Sequence, residues 1–217
     1  TRAGACRSGV CGVGFVLYLS AFAFRDALCS MPRALRWRCR LDDLCPFCRY
    51  AVLPFFAWFA WFPFPLFYLL WKSPREDFWR LCLPLFGGMT IALACYVILP
   101  TGLDLRPYYV PGTDLFARAV RMLYRTDTPT NVCPSIHVFN SMTLMLAYHR
   151  CRLFEEPRRR WMRPAADVLC FSIVCSTMLL KQHSCIDVAL GALLALVLDA
   201  LFNRAAERSE QPQIWHA

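Results

Sequence analysis

The sequence predicts an all-α integral membrane protein: a single domain over residues 1–217, folded as a bundle of six transmembrane helices with its active site at one membrane face. The composition is the first indication, because 58% of the 217 residues are hydrophobic and only 18% are charged, against roughly 25% charged in soluble domains. The second is that charge-free segments approach or exceed the length of about 20 apolar residues that crosses a bilayer. A chain of this size normally forms one domain.

The first half of the chain contains the clearest spans. Neither Tyr50 to Trp71 nor Leu81 to Leu103 contains Asp, Glu, Lys or Arg, and Ser8 to Phe24 is charge-free but short. Residues 104–127 contain the pairs Arg106-Pro107 and Pro111-Gly112. We therefore expect this segment to form a loop. The sequence therefore predicts the first three spans at residues 8–24, 50–71 and 81–101.

The second half has apolar segments in which ionisable residues are embedded. Residues 128–148 carry no full charge but include His137, and two shorter segments are flanked by Asp and Lys side chains. Ionisable groups at membrane depth are costly and are functional candidates by default. When these segments are extended to the membrane interface, the last three spans are expected at residues 132–149, 165–182 and 184–203.

The net charge of +9 comes almost entirely from arginine, since Lys72 and Lys181 are the two lysines. The aromatic residues lie in charge-free runs and the arginines lie between those runs, so the basic and aromatic surface that nucleic acids need is not expected. The positive-inside rule places the arginine-rich loop 149–164 in the cytoplasm. We therefore expect a multipass protein of the plasma or inner membrane, with the opposite face extracytoplasmic.

Three polar clusters fall on that opposite face. The first is Arg106-Pro107 after the third span, the second runs from Cys133 to Ser141 at the start of the fourth, and the third runs from Ser176 to Asp187 between the last two. This arrangement brings two histidines, a carboxylate and two cations to one membrane face: His137, His183, Asp187, Arg106 and Lys181.

The histidines and the carboxylate suit acid–base and nucleophilic catalysis. Asp187 follows His183 by four positions, so on a helix the two share a face. A carboxylate on one imidazole nitrogen makes the other nitrogen a better nucleophile. His137, one helical turn into its span, is placed to act as a general acid. These groups suit phosphoryl transfer through a phosphohistidine.

The neighbouring residues suit phosphate binding. Pro134 is typical of a helix start, where free N–H groups and the helix dipole attract an anion, and Ser135 adds a hydroxyl donor. Arg106 and Lys181 are able to neutralise a phosphate, and arginine can do so with two hydrogen bonds.

At these residues the chain resembles the membrane branch of the type 2 phosphatidic acid phosphatase superfamily, whose motifs read K-x6-R-P, then P-S-G-H, then S-R-x5-H-x3-D. Pro134-Ser135-Ile136-His137 is similar to the second motif, with Ile in place of Gly. The third motif corresponds in spacing to residues 176–187, with Thr177 where the family has arginine. Arg106-Pro107 resembles the end of the first motif, with Leu99 in place of its lysine. The resemblance covers residues 99–190, the expected catalytic core.

The resemblance implies a role for each matching residue. His183 would be the nucleophile, Asp187 would orient it, and His137 would protonate the leaving group. The phosphate would be held by Arg106, Ser135 and the backbone at Ile136. We hypothesise that Lys181, four positions after Thr177 and on the same face if the fifth helix continues, replaces the missing arginine.

Residues and resemblance together predict a metal-independent phosphatase that acts on lipid phosphate esters, of the phosphatidic acid or isoprenoid diphosphate kind. The Ser-Thr…His…Asp variant is also similar to the lipid phosphotransferases, which include inositolphosphoceramide and sphingomyelin synthases. Transfer of a phospho-head group to a lipid alcohol is therefore the alternative. A catalytically silent lipid transporter or lipid-binding membrane protein is the alternative of another class.

The expected partners are a lipid phosphate substrate and the bilayer, without nucleic acid, and self-association is left open. No cofactor is expected. No metal site is expected either, because Cys45-Pro46-Phe47-Cys48 lacks the second pair of ligands that a zinc site needs.

Overall fold

The computed structural model describes residues 35–36 and 38–210, with side chains as far as Asn203. The protein is mostly helical, as predicted. A two-residue strand β1 (Leu35–Arg36) pairs in parallel with β2 (Thr101–Gly102). The α-helices are α1 (Arg40–Leu44), α2 (Val52–Trp61), α3 (Pro63–Lys72), α4 (Arg75–Ile98), α5 (Leu115–Thr126), α6 (Ile136–Arg150), α7 (Met162–Leu179) and α8 (Cys185–Glu210).

Within the described residues, four helical stretches are long and apolar enough to cross a membrane. The first combines a 3-10 turn with α2 and α3, and the others correspond to α4, α7 and most of α8. They match four of the predicted spans and are compatible with a membrane protein. Their bounds are Arg49–Lys72, Arg75–Ile98, Met162–Leu179 and Cys185–Asn203.

The two remaining predicted spans have different outcomes. The segment 8–24 lies outside the described residues. The segment 132–149 forms α6, which begins only at Ile136 because Pro134 precedes it and Ser135 caps it. Its 15 residues rise about 22 Å, less than the roughly 30 Å of a hydrocarbon core. The six-span bundle therefore stays a prediction.

The predicted loop 104–127 is wrong in its second half, which forms the amphipathic helix α5. Asp114 caps this helix by accepting a hydrogen bond from the Ala117 N–H at 3.0 Å. Ala117, Val120 and Leu123 recur every third residue and are buried against the start of α2. Arg118, Arg121 and Arg125 lie outside this buried stripe, so one helical face is apolar and another is basic.

Helix α6 lies against α4, α7 and α8. Two glycines allow its closest approaches. A Cβ atom on Gly88 of α4 would overlap the ring of Phe139, and one on Gly191 of α8 would lie 2.5 Å from the Ser135 carbonyl oxygen. The start of α6 is therefore in direct contact with α8, close to the predicted polar cluster that ends at Asp187.

Candidate functional site

His183 lies in the turn between α7 and α8, and Asp187 lies in the first turn of α8. Ser184 and Asp187 cap this helix reciprocally. The Ser184 N–H donates to Asp187 Oδ2 at 2.8 Å, and the Asp187 N–H donates to Ser184 Oγ at 3.2 Å. The carboxylate is thereby fixed 3.8 Å from His183 Nδ1. The structure brings the predicted pair together, although His183 precedes the helix rather than sharing its face.

His137 stands opposite His183. Its Nδ1 lies 3.3 Å from His183 Nε2, within hydrogen-bonding distance, and the tautomers decide which nitrogen donates. Phe55 and Trp58 of α2 pack against the His137 ring, with centroids 4.9 and 4.5 Å away. His183 therefore directs one ring nitrogen at a carboxylate and the other at a second histidine.

The start of α6 is anchored on both sides. The Ser135 N–H donates to the Asp187 carbonyl at 3.0 Å, and the Tyr96 hydroxyl donates to the Pro134 carbonyl at 2.6 Å. Ser135 Oγ accepts a hydrogen bond from the Val138 N–H at 3.4 Å, as an N-cap does. The first turn of α6, whose N–H groups have no partner within the helix, consequently lies beside His183.

Arg106 reaches the site from the loop before α5. Its guanidinium donates to the Asp127 carbonyl at 2.6 Å and to Gln182 Oε1, and it lies 4.7 Å from the centre of the Tyr124 ring. The Asp127 carboxylate is 3.6 Å away. Burial lowers the pKa of Arg106 from its ordinary value and Asp127 opposes that shift, while guanidinium groups stay charged in proteins. Arg106 thus supplies a fixed positive charge beside the residue preceding His183.

A small cleft lies beside His137 and His183. Its volume is about 20 Å³, enough for about one water molecule. Both histidines line it, together with Ile136 and the amide side chains of Asn131 and Gln182. A phosphate group is larger than this space, so lining side chains have to move to admit one.

The structure does not bring Lys181 to this cleft. Helix α7 ends at Leu179 and Lys181 adopts a left-handed backbone conformation with φ of 53°. The expectation that Lys181 continues the helical face of Thr177 is therefore wrong. Its ammonium group instead donates to the carbonyls of Asp42 at 2.7 Å and Cys45 at 2.5 Å.

Ser176 and Thr177 shape the turn that carries His183. Both hydroxyls donate to carbonyls three residues earlier in α7. The Thr177 carbonyl accepts the N–H groups of Gln182 at 2.9 Å and His183 at 3.3 Å. The backbone of Thr177 thus positions the candidate nucleophile, while its side chain bonds within its own helix.

Four residues of the site were not singled out from the sequence: Tyr124, Asp127, Asn131 and Gln182. Tyr124 and Asp127 belong to α5 and its C-cap, and the three-residue spacing of apolar side chains in that segment was the signal that could have found them. Gln182 gains its role from the turn it occupies. No feature of the sequence marks Asn131.

Among the described residues, one group of metal-type ligands lies close together: Cys39, Asp42 and Cys185, whose ligand atoms are all within 4.8 Å of one another. Asp42 accepts backbone hydrogen bonds from Cys39 at 2.8 Å and Cys185 at 2.7 Å. Burial acts to raise the pKa of Asp42, but these hydrogen bonds prevail and hold the pKa below its ordinary value. They account for the buried carboxylate, which fastens α1 to the start of α8.

Comparison with family models, with curated proteins and with solved structures gives no match to this chain. The likeness carried by the three motifs stays a prediction. A function for this chain is therefore inferred from how His137, His183, Asp187 and Arg106 are arranged.

Proposed function

We propose that this protein is a membrane-embedded, metal-independent phosphatase of the type 2 phosphatidic acid phosphatase kind, which cleaves lipid phosphate esters through a phosphohistidine. The orientation of His183 is the observation that carries the proposal. Its Nδ1 faces a buried carboxylate at 3.8 Å, and its Nε2 faces His137 at 3.3 Å. His183 Nδ1 makes no hydrogen bond, so a proton on Nδ1 faces the carboxylate and leaves Nε2 unprotonated and nucleophilic.

The reaction takes two steps. His183 Nε2 forms a bond to phosphorus while the bond from phosphorus to the lipid oxygen breaks. His137 gives its proton to that oxygen, so the lipid leaves as an alcohol. A water molecule then loses a proton to His137 and attacks the phosphorus, which releases phosphate and restores His183. Asp187 stabilises the positive charge that His183 carries during the transfer.

The charge on the phosphoryl oxygens is stabilised by groups that lie beside the cleft and contact the phosphate once the lining side chains have moved. Arg106 supplies a guanidinium, Ser135 supplies a hydroxyl, and the backbone N–H of Ile136 belongs to the first turn of α6, where the helix dipole favours an anion. Donors of this kind act where charge develops in the transition state.

The second candidate is transfer of the phospho-head group to a lipid alcohol. His183 is 7% exposed, and the cleft beside it has room for about one water molecule. This burial limits the access of bulk water to His183, which is the observation that keeps transfer as a candidate.

The two ends of α6 support a proposal for the membrane side on which the site lies. The site lies at its first residues and at the end of α7, whereas the arginine-rich connection 151–161 lies at the opposite ends of these helices. The positive-inside rule assigns that connection to the cytoplasm. We therefore place the site at the extracytoplasmic face of a plasma or inner membrane, within a six-span bundle that takes its lipid substrate from the bilayer.

The test is turnover by the purified full chain in mixed micelles, with phosphatidic acid, an isoprenoid diphosphate and phosphodiester lipids, each with and without a lipid alcohol as acceptor. We expect free phosphate or transfer product, and unchanged rates in EDTA, because the scheme stabilises charge with protein donors alone. Release of phosphate without transfer selects the phosphatase. Complete inhibition by EDTA, or no turnover of any lipid phosphate, would contradict the proposal.

A further inference from the structure

Two cysteines from distant parts of the sequence lie side by side near the candidate site. Cys39 immediately precedes α1, and Cys185 is the first residue of α8, two positions after His183. Their Sγ atoms are within 4.8 Å of each other. Both residues are half-buried rather than enclosed in the core. The pair therefore combines proximity with access to a reagent.

The Asp42 carboxylate holds the backbones of the two cysteines together. It accepts the Cys39 N–H on Oδ2 at 2.8 Å and the Cys185 N–H on Oδ1 at 2.7 Å. Because both oxygens belong to one carboxylate, the two main chains cannot separate without losing a charge-assisted hydrogen bond. The cysteines are thus brought together by contacts that do not involve sulfur.

Helix α1 and the residues after it are also fastened to the turn before α8. The Lys181 ammonium group donates to the carbonyls of Asp42 at 2.7 Å and Cys45 at 2.5 Å. The Cys48 N–H donates to the Leu179 carbonyl at 3.0 Å. These contacts hold α1 in one position relative to the start of α8, so the two thiols stay close to each other.

A change of side-chain conformation is the movement that brings the two sulfur atoms into bonding distance. A disulfide has an S–S distance of about 2.05 Å, and rotation between staggered conformations moves a sulfur atom while the backbone stays in place. The Cys185 thiol contacts Met178 Sδ at 3.9 Å. This contact to sulfur is weak, so its loss opposes the rotation little.

The location of the pair favours a disulfide over two free thiols. The pair lies at the end of the molecule that carries His183, which the proposal above places on the extracytoplasmic side. Disulfides form and persist there, whereas thiols in the cytoplasm are kept reduced. A bond between residues 39 and 185 also closes a long loop, and long loops are the ones whose closure most restricts the unfolded chain.

We propose that Cys39 and Cys185 form a disulfide bond that fastens α1 to the turn carrying His183. The bond forms by exchange with the disulfide of an extracytoplasmic thiol oxidant. One cysteine loses its proton and attacks that disulfide, which releases one thiolate of the oxidant. The second cysteine loses its proton and attacks the mixed disulfide, which releases the other thiolate. The protein gives up two protons and two electrons, and the oxidant leaves as a dithiol.

The first test maps the thiols of the full chain. Inner membranes of a bacterial host that expresses the protein are treated with N-ethylmaleimide. The purified protein is then reduced, labelled with iodoacetamide and analysed by peptide mass spectrometry. We expect Cys39 and Cys185 to carry the second label, and a peptide linked through both to be found when reduction is omitted.

Two results of this experiment overturn the proposal. One is N-ethylmaleimide on both Cys39 and Cys185, which shows that they are free thiols in the membrane. The other is zinc that is retained by the purified wild type and lost from Cys39→Ser, because thiolates that bind zinc are not joined in a disulfide.

The second test measures stability. Cys39→Ser, Cys185→Ser and the double variant should share one melting temperature, lower than that of the wild type by about 5 °C or more, because loss of either sulfur removes the same bond. A reductant should lower the wild type to that temperature and leave the three variants unchanged. Cys45→Ser is the matched control after α1 and should melt like the wild type. Losses that add in the double variant contradict the proposal.

These measurements separate the disulfide from the proposed reaction, since neither uses turnover. The inference rests on the membrane side proposed for the site and goes beyond the phosphatase chemistry. A disulfide in a protein that turns over no lipid phosphate would retain this inference and reject the reaction. Free thiols in an active enzyme would do the reverse.

Discussion

Among the described residues, two histidine–aspartate pairs lie close to opposite ends of α6 and α7. At the C-terminal end of α6, His149 Nε2 lies 2.7 Å from Asp167 Oδ1, and each side chain is 45% exposed. In the candidate site, His183 Nδ1 lies 3.8 Å from Asp187 Oδ2, with side chains 8% and 0% exposed. The shorter contact is therefore the one on the surface.

The difference shows that distance alone does not identify a reactive pair. Water surrounds the His149 pair, and exposed ion pairs contribute only about 0–1 kcal/mol to stability. The Asp187 carboxylate is instead buried and held by the Ser184 N–H. His183 also has its second nitrogen directed at His137 across a cleft. Burial, fixed orientation and a second histidine across the cleft distinguish the candidate nucleophile from a surface histidine.

The largest expected effect separates the two histidines. His183→Ala should lower turnover of lipid phosphate by more than about a thousandfold, because it removes the nucleophile. His149→Ala should leave turnover within about twofold. Acid-labile phosphate trapped on the protein should be present in the wild type and in His149→Ala, and absent from His183→Ala. Equal loss in both variants would remove the distinction between the pairs.

The two aspartates give the next largest difference. Asp187→Asn should lower kcat by about a hundredfold or more, since an amide cannot stabilise a charged imidazole as a carboxylate does. The asparagine oxygen can still accept the Ser184 N–H, so the helix cap and the fold should persist. Asp167→Asn is the matched control and should leave kcat unchanged. The measurements are steady-state kinetics and the melting temperature of each variant. A wild-type rate for Asp187→Asn would contradict the role assigned to Asp187.

The smallest effect concerns Gly191, the glycine of α8 that allows the start of α6 to approach closely. The Cβ of Gly191→Ala would lie 2.5 Å from the Ser135 carbonyl oxygen, so α6 and α8 have to separate, at about 1–3 kcal/mol of stability. Gly87→Ala is the control, because its nearest atom is 3.9 Å away. We expect a melting temperature lower by several degrees and reduced activity for Gly191→Ala alone. Identical melting temperatures would show that this contact relaxes freely.

Local features of the sequence were sufficient to predict part of the site. Pro134 and Ser135 mark a helix start by their own conformational preferences, and α6 does begin at Ile136. The spacing of His183 and Asp187 brought them together even though His183 lies outside the helix, because the capping turn keeps neighbouring residues close. Arg106 was singled out as a cation and does lie beside the residue that precedes His183.

Two predictions were wrong, one because a helix ends earlier than expected and one because a helix was not recognised. The role expected for Lys181 assumed that α7 continues, but it ends at Leu179. The segment after Arg106 has an amphipathic spacing that forms α5 and not the predicted loop. The loop prediction therefore misses the surroundings of Arg106, which include Tyr124 and Asp127 on or beside α5.

The sequence by itself determined where apolar helices form and which residues carry reactive groups, since both depend on composition and on spacing within a few residues. The tertiary structure decided which polar groups meet. Gln182 contacts Arg106 across 76 positions, and Lys181 reaches Asp42 across 139. Such pairings depend on how turns close and how helices pack over the whole chain. The cleft that joins Asn131 to the two histidines consequently exists only in the folded molecule.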